Sequence, residues 1–479
     1  MNTIDNKGDF SRIKKAHFVG IKGVAMSALA VWAKEKGIVV TGSDVEERFP
    51  TDDVLRRADI HPFVGFYADH LSDNSRPDVV IYTGAHGGVD NIEVKTAIHL
   101  GISVFAHGKA LGMAMRDKKQ ISIGGSHGKT TTSAMIATVL MVSGEDPSYA
   151  IGCGEIGGLG LPGHAGNGEY FVAEADEYIT DPTHDRTPRF LWQNPNILVV
   201  TNIDFDHPDA YRSLADVQKA FLALQNQQQG VAVTIVNADD PASVPLRSKK
   251  TRAHIITYGF SANADYRISD VQFSKERTQF TLHHGDWVIR AFQLRIPGRH
   301  NAYNAAAAAV ACQCLGISWD DIAHGLLRFT GTKRRFEKIG EAHRVIYYDD
   351  YAHHPKEIQA TLSAARAWYP KHRIVAIFQP HTYSRTKVLL LEFAQSFSDA
   401  DIVVTTDIYP SARETDTLGI DGMTLSREIM KYHDHVFYAP SYPDVLSHCK
   451  KQLNKSDIVI FMGAGNIYTW GRDIYKELQ

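Results

Sequence analysis

The chain has 479 residues, of which 44 % are hydrophobic and 22 % charged, the balance of a folded globular protein rather than a disordered one. At roughly 150 residues per domain, this length predicts about three domains. The formal net charge of −3 excludes a global attraction to nucleic acid or to an anionic membrane, so any phosphate group must be bound locally.

The four cysteines do not form a metal site or a disulfide framework, because Cys153, Cys312, Cys314 and Cys449 include no CxxC pair. We expect them to be small buried hydrophobes in a reducing compartment. The first residues contain no apolar signal segment, and no run of about 18 apolar residues occurs elsewhere. The sequence therefore predicts a cytoplasmic protein.

Short apolar stretches alternate with helix-length amphipathic segments along most of the chain, which predicts α/β units on largely parallel sheets. A helix is expected from Met26, a linker at 115–120 and an antiparallel insert at 262–296. Three α/β domains with boundaries near residues 118 and 332 are expected. The predicted strands are 16–20, 38–41, 78–82, 121–123, 170–173, 197–201, 231–236, 345–348, 374–378, 402–405 and 458–462.

A glycine-rich loop, GGSHGKTTT at 124–132, follows a predicted strand and precedes an apolar helix. In this setting backbone N–H groups and a helix N-terminus bind phosphate. Lys129 would reach the terminal phosphates of a nucleotide, and the Thr130 hydroxyl would bind Mg²⁺. Because Ile123 replaces the first glycine of the strict pattern, an incidental turn is the alternative. The predicted nucleotide-binding residues here are Gly125, Ser126, His127, Gly128, Lys129, Thr130 and Thr131.

Acidic residues follow two further predicted strands. Glu174 begins the sequence EADE, and TNIDFDH at 201–207 ends in His207. The carboxyl ends of parallel strands form the ligand-binding edge of an α/β sheet, and Mg²⁺ prefers hard oxygen ligands. A metal site with Thr130, Glu174 and His207 is therefore predicted, with helix capping as the alternative.

The first domain opens with GIKGVAM at 20–26, a loose likeness to a dinucleotide-binding fingerprint in which Lys22 replaces a required glycine. Asp44 ends the second strand, where an acidic residue often contacts a ribose. These features predict a nucleotide-like ligand, and a nicotinamide oxidoreductase is one alternative.

Two later segments carry polar residues suited to ligand binding. In GRHNAYN at 298–304, histidine and asparagine side chains could hydrogen-bond a base edge or simply cap a helix. In FQPHTYSRT at 378–386, Arg385 is suited to the carboxylate of an amino acid, unless it has a structural role.

Together these motifs, with GTKRRFE and DDYAHHP, occur in an order that resembles the Mur ligase family. The resemblance extends from Gly20 to Asn466. It implies a Rossmann-like UDP-sugar domain at 1–118, a central P-loop ATPase-like domain with the antiparallel insert at 119–332, and a Rossmann-like amino-acid domain at 333–479. ATP and Mg²⁺ are the implied cofactors.

The resemblance also implies roles for individual residues. Lys129, Glu174, His207, His353 and Arg385 would form the catalytic set, with His353 and Arg385 positioning the amino acid. ATP contacts would come from His300, Asn301 and Asn304 to adenine and from Arg335 and Asp350 to phosphate and ribose. The UDP-sugar would contact Gly20, Gly23, Met26, Ser43, Asp44 and His86.

The implied reaction is the ATP-dependent activation of the carboxylate of UDP-N-acetylmuramate as an acyl phosphate, followed by attack of the L-alanine amine. The alternative amine donor is the tripeptide L-Ala-γ-D-Glu-meso-diaminopimelate, as in cell-wall recycling. Tyr178 and Phe205 favour the tripeptide, whereas the FQPH segment favours L-alanine. A nucleotide-binding regulatory protein is a further alternative.

Two departures from the family pattern lie where the UDP-sugar is expected. One is in the first loop, at Lys22 and Ala25, and the other is the segment Thr83–Gly88. Lys219 falls in the region where some family members carry a carbamylated lysine, and no such role is assigned to it.

Overall fold

The structure is a computed structural model that describes residues 10–72, 76–205, 210–248, 251–274, 276–410, 414 and 416–479. It divides into two compact units. The first contains the described residues of Met1–Val271, Phe280–Gln293 and Asn301–Thr332, and the second contains those of Gln272–Gln279, Leu294–His300 and Lys333–Gln479.

The first unit begins with a parallel sheet of five strands in the order β3-β2-β1-β4-β5. Helix α1 begins at Val24, two residues before the predicted Met26. Because the chain leaves β1 toward β2 on one side and β4 lies on the other, the carboxyl end of β1 is a topological switch point, where nucleotides bind. The elements are β1 Lys15–Val19, α1 Val24–Glu35, β2 Val39–Asp44, α2 Asp52–Arg57, β3 Phe63–Val64, β4 Val79–Tyr82, α3 Ile92–His99, β5 Ser103–Ala106 and α4 His107–Ala114.

A second sheet has ten strands in the order β17-β16-β15-β14-β13-β12-β6-β9-β7-β8. Its elements are β6 Lys119–Gly124, α5 Lys129–Val142, β7 Ser148–Ala150, β8 Gly163–His164, β9 Tyr170–Ala175, β10 Ile179–Asp181, β11 Asp185–Pro188, β12 Ile197–Val200, α6 Leu214–Gln227, β13 Val233–Asn237, β14 His254–Gly259, β15 Tyr266–Ser274, β16 Arg277–His284, β17 Trp287–Leu294, α7 Arg299–Cys314 and α8 Trp319–Arg328, with β10 and β11 forming a separate antiparallel pair.

The central strands of this sheet are parallel, and β6 lies between β9 and β12. Their carboxyl ends therefore meet at one edge, next to the start of α5. Strands β16 and β17 are joined by two residues and so form a hairpin, in the region where the antiparallel insert was predicted. The predicted linker at 115–120 is wrong for its last two residues, because the buried Gln120 pairs with Phe171 inside the sheet.

The second unit contains a six-stranded sheet in the order β18-β19-β23-β20-β21-β22. Strand β18 is antiparallel to β19, and the remaining pairs are parallel. The elements are β18 Glu337–Ala342, β19 Val345–Asp350, α9 Pro355–Trp368, β20 Ile374–Phe378, α10 Tyr383–Val388, α11 Leu390–Ala394, β21 Ile402–Thr405, α12 Gly422–Ile429, β22 Val436–Tyr438, α13 Tyr442–Gln452, β23 Ile458–Met462 and α14 Ile467–Glu477. Short 3₁₀ helices occur at Phe10–Arg12, Ala68–Leu71, Gly88–Asp90, Arg189–Trp192 and Pro241–Arg247.

Helix α1 is buried against both sheets of the first unit. Its Trp32 belongs to one hydrophobic cluster with Phe18 from the first sheet and Phe171 from the second. The cluster therefore continues from one sheet to the other. In the second unit, separate clusters cover the two faces of the sheet, as expected for strands that are buried on both sides.

Three of the four cysteines are buried, as predicted, but the prediction is wrong for Cys314, which is exposed at the end of α7. In the part of the chain that the structure describes, no helix is both long and apolar enough to cross a membrane.

Candidate active site

The glycine-rich loop between β6 and α5 has the backbone of a phosphate-binding loop. Gly125 and Gly128 have φ angles of +132° and +86°. A Cβ atom on Gly125 would lie 2.1 Å from Thr201 Oγ1, and one on Gly128 would lie 2.5 Å from Asn304 Oδ1. Glycine is therefore required at both positions by conformation and by space.

Residues at the end of β12 hold this loop in place. Asn202 accepts a hydrogen bond from the backbone N–H of His127 at 3.0 Å, and Thr201 Oγ1 donates to the His127 carbonyl at 2.6 Å. Ser126 Oγ accepts from the Asp204 N–H at 2.8 Å. The sequence predicts a metal site or a helix cap at this segment and does not indicate that it supports the loop.

Lys129, at the first position of α5, is largely buried and neutralised by acidic neighbours. Its ammonium group donates to Gly125 O at 2.5 Å and to Glu177 Oε2 at 2.9 Å. Burial alone would lower the pKa of Lys129, but the carboxylates of Glu177, Asp176 and Glu174 raise it above the ordinary value. Lys129 is therefore charged, and Glu177 is the partner that the sequence did not reveal.

Glu174 and Thr130 meet at the same edge of the sheet. The Thr130 hydroxyl donates to Glu174 Oε2 at 2.8 Å, and the Gly152 N–H donates to Oε1 at 2.7 Å. Burial and the neighbouring Asp176 raise the pKa of Glu174 to about 7, against the opposing effect of Lys129. This pair of oxygen donors fits a hard cation such as Mg²⁺.

The predicted metal site with Thr130, Glu174 and His207 stays a prediction. His207 lies outside the described residues, and within the described ones no group of three or more His, Cys, Asp or Glu side chains could hold a metal ion. Lys219 is an exposed residue of α6 that pairs with Asp216 at 3.2 Å.

The start of helix α7 lies beside the phosphate loop. Asn304 is buried, donates to Asn301 Oδ1 at 3.0 Å and has its own Oδ1 next to Gly128. These asparagines are therefore in place to contact a nucleotide bound by the loop, which stays a prediction. His300, at the second position of α7, is exposed.

In the first sheet, the predicted UDP-sugar residues gather at the carboxyl ends of β1 and β2. Gly20 has a φ of +80°, and its N–H donates to Ser43 O at 2.9 Å. Asp44 follows Ser43, and burial raises the pKa of its carboxyl group. His86 Nε2 lies 3.5 Å from Asp44 Oδ1, so the structure brings these four residues together. Gly23 and Met26 belong to the cap and first turn of α1.

The structure explains why lysine is tolerated at position 22. Lys22 does not have a positive φ, so glycine is not required there. Its N–H donates to Asp44 Oδ2 at 2.7 Å, and its ammonium group donates to the Val45 and Glu47 carbonyls at 2.9 Å. The ammonium group of Lys22 is therefore hydrogen-bonded to the loop that follows β2.

The departing segment Thr83–Gly88 packs on the β10–β11 pair. A Cβ atom on Gly88 would lie 2.3 Å from Asp181 Oδ2, which also accepts the Val89 N–H at 3.0 Å. His86 has a φ of +54° in this turn, and its ring lies 5.3 Å from that of Phe66. Packing on Asp181 thus fixes the turn that presents His86 to Asp44.

A buried carboxylate supports the end of β2. Glu93, in α3, is fully buried, and the Ser43 hydroxyl donates to it. Its oxygens lie 3.3 Å from His17 Nε2 and 2.6 Å from His70 Nδ1, and each imidazole nitrogen must donate because an ionised carboxylate only accepts. Burial alone would raise the pKa of Glu93, but these hydrogen bonds outweigh burial and hold the pKa below its ordinary value.

The substitution Glu93→Gln is expected to lower the free energy of unfolding by about 3 kcal/mol, because it leaves buried donors without an ionised acceptor. The pKa of Glu93 is lower in the folded state than in the unfolded chain. The stabilisation by ionised Glu93 is therefore fully present at pH values above the unfolded-state pKa, and it is lost as the pH falls through the folded-state pKa. Urea unfolding at pH 7 measures the loss. Lys95→Ala, which removes only the exposed pair with Asp90, is the control. An equal effect of the two variants would contradict the expectation.

In the second unit, Asp350 is buried, and its carboxylate is hydrogen-bonded mainly to backbone N–H groups of nearby residues. Its carboxylate accepts from the N–H groups of Phe336 and Ala352 at 2.7 and 2.8 Å and from Thr361 Oγ1 at 3.2 Å. Burial raises the pKa of Asp350, and nearby Arg335 opposes this. The predicted contact of Asp350 with ribose stays a prediction.

Arg335 is partly exposed, and its guanidinium lies 3.7 Å from Glu357 and 5.4 Å from the Tyr351 ring. The neighbouring Arg334 is the buried one, stacked on Tyr351 and Tyr468 at 5.0 and 4.6 Å. Arg334 therefore stabilises the fold, whereas Arg335 stays a candidate for phosphate binding.

His353 and Arg385 both belong to the second unit, and Arg385 lies near enough to His353 to affect its pKa. Their predicted role in positioning the amino acid stays a prediction. His353 Nδ1 donates to the Tyr351 carbonyl at 2.9 Å, which leaves Nε2 as an acceptor. Burial lowers the pKa of His353, Glu357 opposes this and Arg385 lowers it further. The His353 ring also lies 6.1 Å from the ring of His381, in the FQPHTYSRT segment.

Three family models match the chain in this order: the Mur ligase family catalytic domain at residues 15–119, the Mur ligase middle domain at 123–312 and the Mur ligase glutamate ligase domain at 334–465. A protein from Desulfitobacterium hafniense (strain Y51), named UDP-N-acetylmuramate–L-alanine ligase, is 39 % identical over 459 residues, which is 96 % of this chain and 98 % of that protein. A protein of the same name from Caldanaerobacter subterraneus is 36 % identical over 472 residues, covering 98 % and 99 %.

Among solved structures, the UDP-N-acetylmuramate–alanine ligase of Thermotoga maritima is similar with a TM-score of 0.82 and 26 % identity, covering 97 % of this chain and 99 % of that one. A murein peptide ligase from Psychrobacter arcticus has a TM-score of 0.71 at 23 % identity, covering 97 % and 98 %, which shows a shared fold. The predicted α/β fold class is confirmed, and the domain boundaries at 118 and 332 stay predictions.

Proposed function

This chain belongs to the Mur ligase family, and from that premise we propose that it is an ATP-dependent ligase that joins L-alanine to the carboxylate of UDP-N-acetylmuramate in peptidoglycan synthesis. The observation that carries the proposal is the phosphate-binding loop, with Lys129, Thr130 and Glu174 at the carboxyl edge of the central sheet. Near full-length similarity to L-alanine ligases supports L-alanine over the tripeptide.

The proposed chemistry follows from the difficulty of making a carboxylate react with an amine. A carboxylate is a poor electrophile, and transfer of the terminal phosphoryl group of ATP converts it into an acyl phosphate with a good leaving group. The phosphoryl group and the carboxylate are both anionic, so positive charge must be present where they meet. Lys129 at the start of α5 supplies it, and the loop N–H groups add partial positive charge.

Thr130 and Glu174 would hold Mg²⁺ beside the phosphates, together with His207 as the resemblance implies. The metal ion would supply additional positive charge for the transferring phosphoryl group. Asn301 and Asn304 would contact adenine with His300, and Arg335 and Asp350 would bind phosphate and ribose.

In the second unit, Arg385 would bind the carboxylate of L-alanine, and His353 would position its amine. The neutral state of His353 favoured by burial suits this role, because Nε2 can accept a hydrogen bond from the amine. An amine held in place attacks the acyl phosphate faster than a free one. We place the reaction in the cytoplasm.

The alternatives have less support. A nicotinamide oxidoreductase would not need the phosphate loop of the central sheet, and a regulatory protein would not need His353 and Arg385. The tripeptide ligase of cell-wall recycling remains the second candidate on account of Tyr178, whose ring is stacked under Arg189 at 4.9 Å.

The experiment offers the enzyme UDP-N-acetylmuramate and ATP with either L-alanine or the tripeptide and identifies the products by mass. We expect UDP-N-acetylmuramoyl-L-alanine, ADP and phosphate, with phosphate release that requires both substrates. Exclusive addition of the tripeptide would replace the first proposal by the second. Phosphate release from ATP alone, unaffected by either substrate, would favour a regulatory protein.

A further inference from the structure

A small pocket of about 50 Å³ lies in the first unit between the start of α1, the start of α4 and the end of β9. Its lining includes Ala25, which is next to the predicted UDP-sugar residue Met26, and Glu174, which bonds to Thr130 after the phosphate loop. Under the proposed function, the acyl-sugar must extend from its UDP group to the phosphate loop. The pocket borders both predicted sites and is therefore a place where the sugar can be held.

The polar groups of the pocket are mostly committed to protein partners. Glu174 accepts from Thr130 and Gly152, and the Tyr178 hydroxyl donates to Asp176 Oδ2 at 2.9 Å. His107 also lines the pocket and is only 4 % exposed. No described residue forms a hydrogen bond with its Nδ1 atom.

The protonation of His107 is fixed by one contact. Its Nε2 atom lies 3.1 Å from the Ala25 carbonyl oxygen, which can only accept, so Nε2 carries the hydrogen. Burial lowers the pKa of His107 well below its ordinary value, and nearby Arg189 lowers it further. The ring is therefore neutral, and Nδ1 is a buried acceptor.

A ligand that pairs with this atom must bring a hydrogen-bond donor. The acids Glu174 and Asp176 in the same pocket disfavour an anionic group beside them. In UDP-N-acetylmuramate, the ring carbon that bears the lactyl ether has two neighbouring ring carbons. One of them carries the acetamido N–H, and the other carries a hydroxyl group. Both are neutral donors close to the reacting carboxylate.

Resting on the proposed function, we propose that His107 is a positioning residue whose Nδ1 accepts a hydrogen bond from the N–H or O–H donor next to the lactyl group of UDP-N-acetylmuramate. The contact fixes the sugar at this pocket, so that its carboxylate faces the phosphate loop. The sequence alone does not single out His107, because a lone histidine at a helix start has no motif around it.

Two substitutions distinguish the roles of the two nitrogen atoms of the His107 ring. His107→Gln places an amide near Nε2, which retains the donor to Ala25 and removes the acceptor. His107→Asn places an amide near Nδ1, which retains an acceptor and loses the bond to Ala25. His99→Gln, at an exposed position of α3, is the control.

Calorimetric titration with UDP-N-acetylmuramate, without ATP or L-alanine, measures the contact directly. We expect His107→Gln to weaken binding about tenfold and to raise the KM for this substrate, with the KM for ATP unchanged. His107→Asn should recover most of the affinity. A purely structural histidine would instead lower the melting temperature and kcat of both variants and leave the KM for the sugar nucleotide unchanged, which would overturn the proposal.

Two substrate analogues identify the donor. One replaces the acetamido N–H by an ester oxygen, and the other lacks the neighbouring hydroxyl. The analogue that lacks the relevant donor should bind the wild-type protein about tenfold more weakly than the natural substrate does. The same analogue should bind His107→Gln as tightly as the natural substrate binds that variant. Additive losses for both analogues would overturn the proposal. If wild type forms product while His107→Gln binds normally, only this inference fails, and if wild type forms no product, the proposed function fails.

Discussion

Replacement of Lys129 by alanine is expected to lower kcat on the order of 10²–10³-fold, because it removes the positioned positive charge that faces the transferring phosphoryl group. The structure supports this directly, since Lys129 is the first residue of α5 and is held against the phosphate loop by its bond to Gly125 O. Phosphate release in the presence of UDP-N-acetylmuramate, ATP and L-alanine is the measurement.

The same substitution should also destabilise the protein. It leaves Glu177, Asp176 and Glu174 without their common cation, and loss of one partner of a buried pair costs about 3 kcal/mol. The double variant Lys129→Ala/Glu177→Gln removes both partners and should recover much of the stability, but not the activity. Lys119→Ala, which removes an exposed pair with Glu169, is the control. Full ligase activity in a folded Lys129→Ala variant would refute the proposed mechanism.

The substitution Glu174→Gln is expected to separate activity from stability. Activity should fall on the order of 10²–10³-fold, because the variant loses the ionised oxygen that would hold a cation beside Thr130. The hydrogen bonds can survive, since the amide oxygen can accept from Gly152 and the amide nitrogen can donate to Thr130 Oγ1. The fold should therefore be retained.

Stability should rise in this variant at neutral pH. The pKa of Glu174 is about 7 in the folded protein and near 4.5 in the unfolded chain, so ionisation between these values favours the unfolded state of wild type. Glutamine has no such cost, and we expect a gain of about 2 kcal/mol at pH 8 and a smaller one at pH 5. Thermal or urea unfolding at both pH values measures it. Glu169→Gln, at an exposed position, is the control, and a gain independent of pH would contradict the expectation.

The phosphate loop illustrates what a local pattern can predict. Gly125, Gly128, Lys129 and Thr130 are neighbours in the chain, and their roles depend on one strand, one turn and one helix start. Those local constraints can be inferred from residue types and spacing, because a positive φ requires glycine and a helix N-terminus attracts anions. The structure places all four at the predicted edge.

The partners of the loop could not be predicted in the same way. Glu177, Asn202 and Asn304 are distant from the loop in sequence and contact Lys129, His127 and Gly128, respectively. They do so only because β6 lies between β9 and β12 and α7 begins beside the loop. Glu177 was visible in the EADE motif, but nothing in that motif shows whether a carboxylate faces a metal ion or a lysine. Sheet order decides this.

The sequence by itself determined the α/β class, the central strands of each sheet, the phosphate loop and the family resemblance, because these depend on periodicity and on residues close together in the chain. It did not indicate strands such as β3, β5, β18 and β22. The near-neutral net charge also indicated that phosphate must be bound locally. Only the tertiary structure decided which charged side chains pair within the protein and which face a site where phosphate could bind. It paired Lys129 with Glu177, directed Lys22 into its own loop and buried His107 beside Glu174. Burial and pairing depend on which strands and helices become neighbours, and a protonation state follows from that environment rather than from residue type.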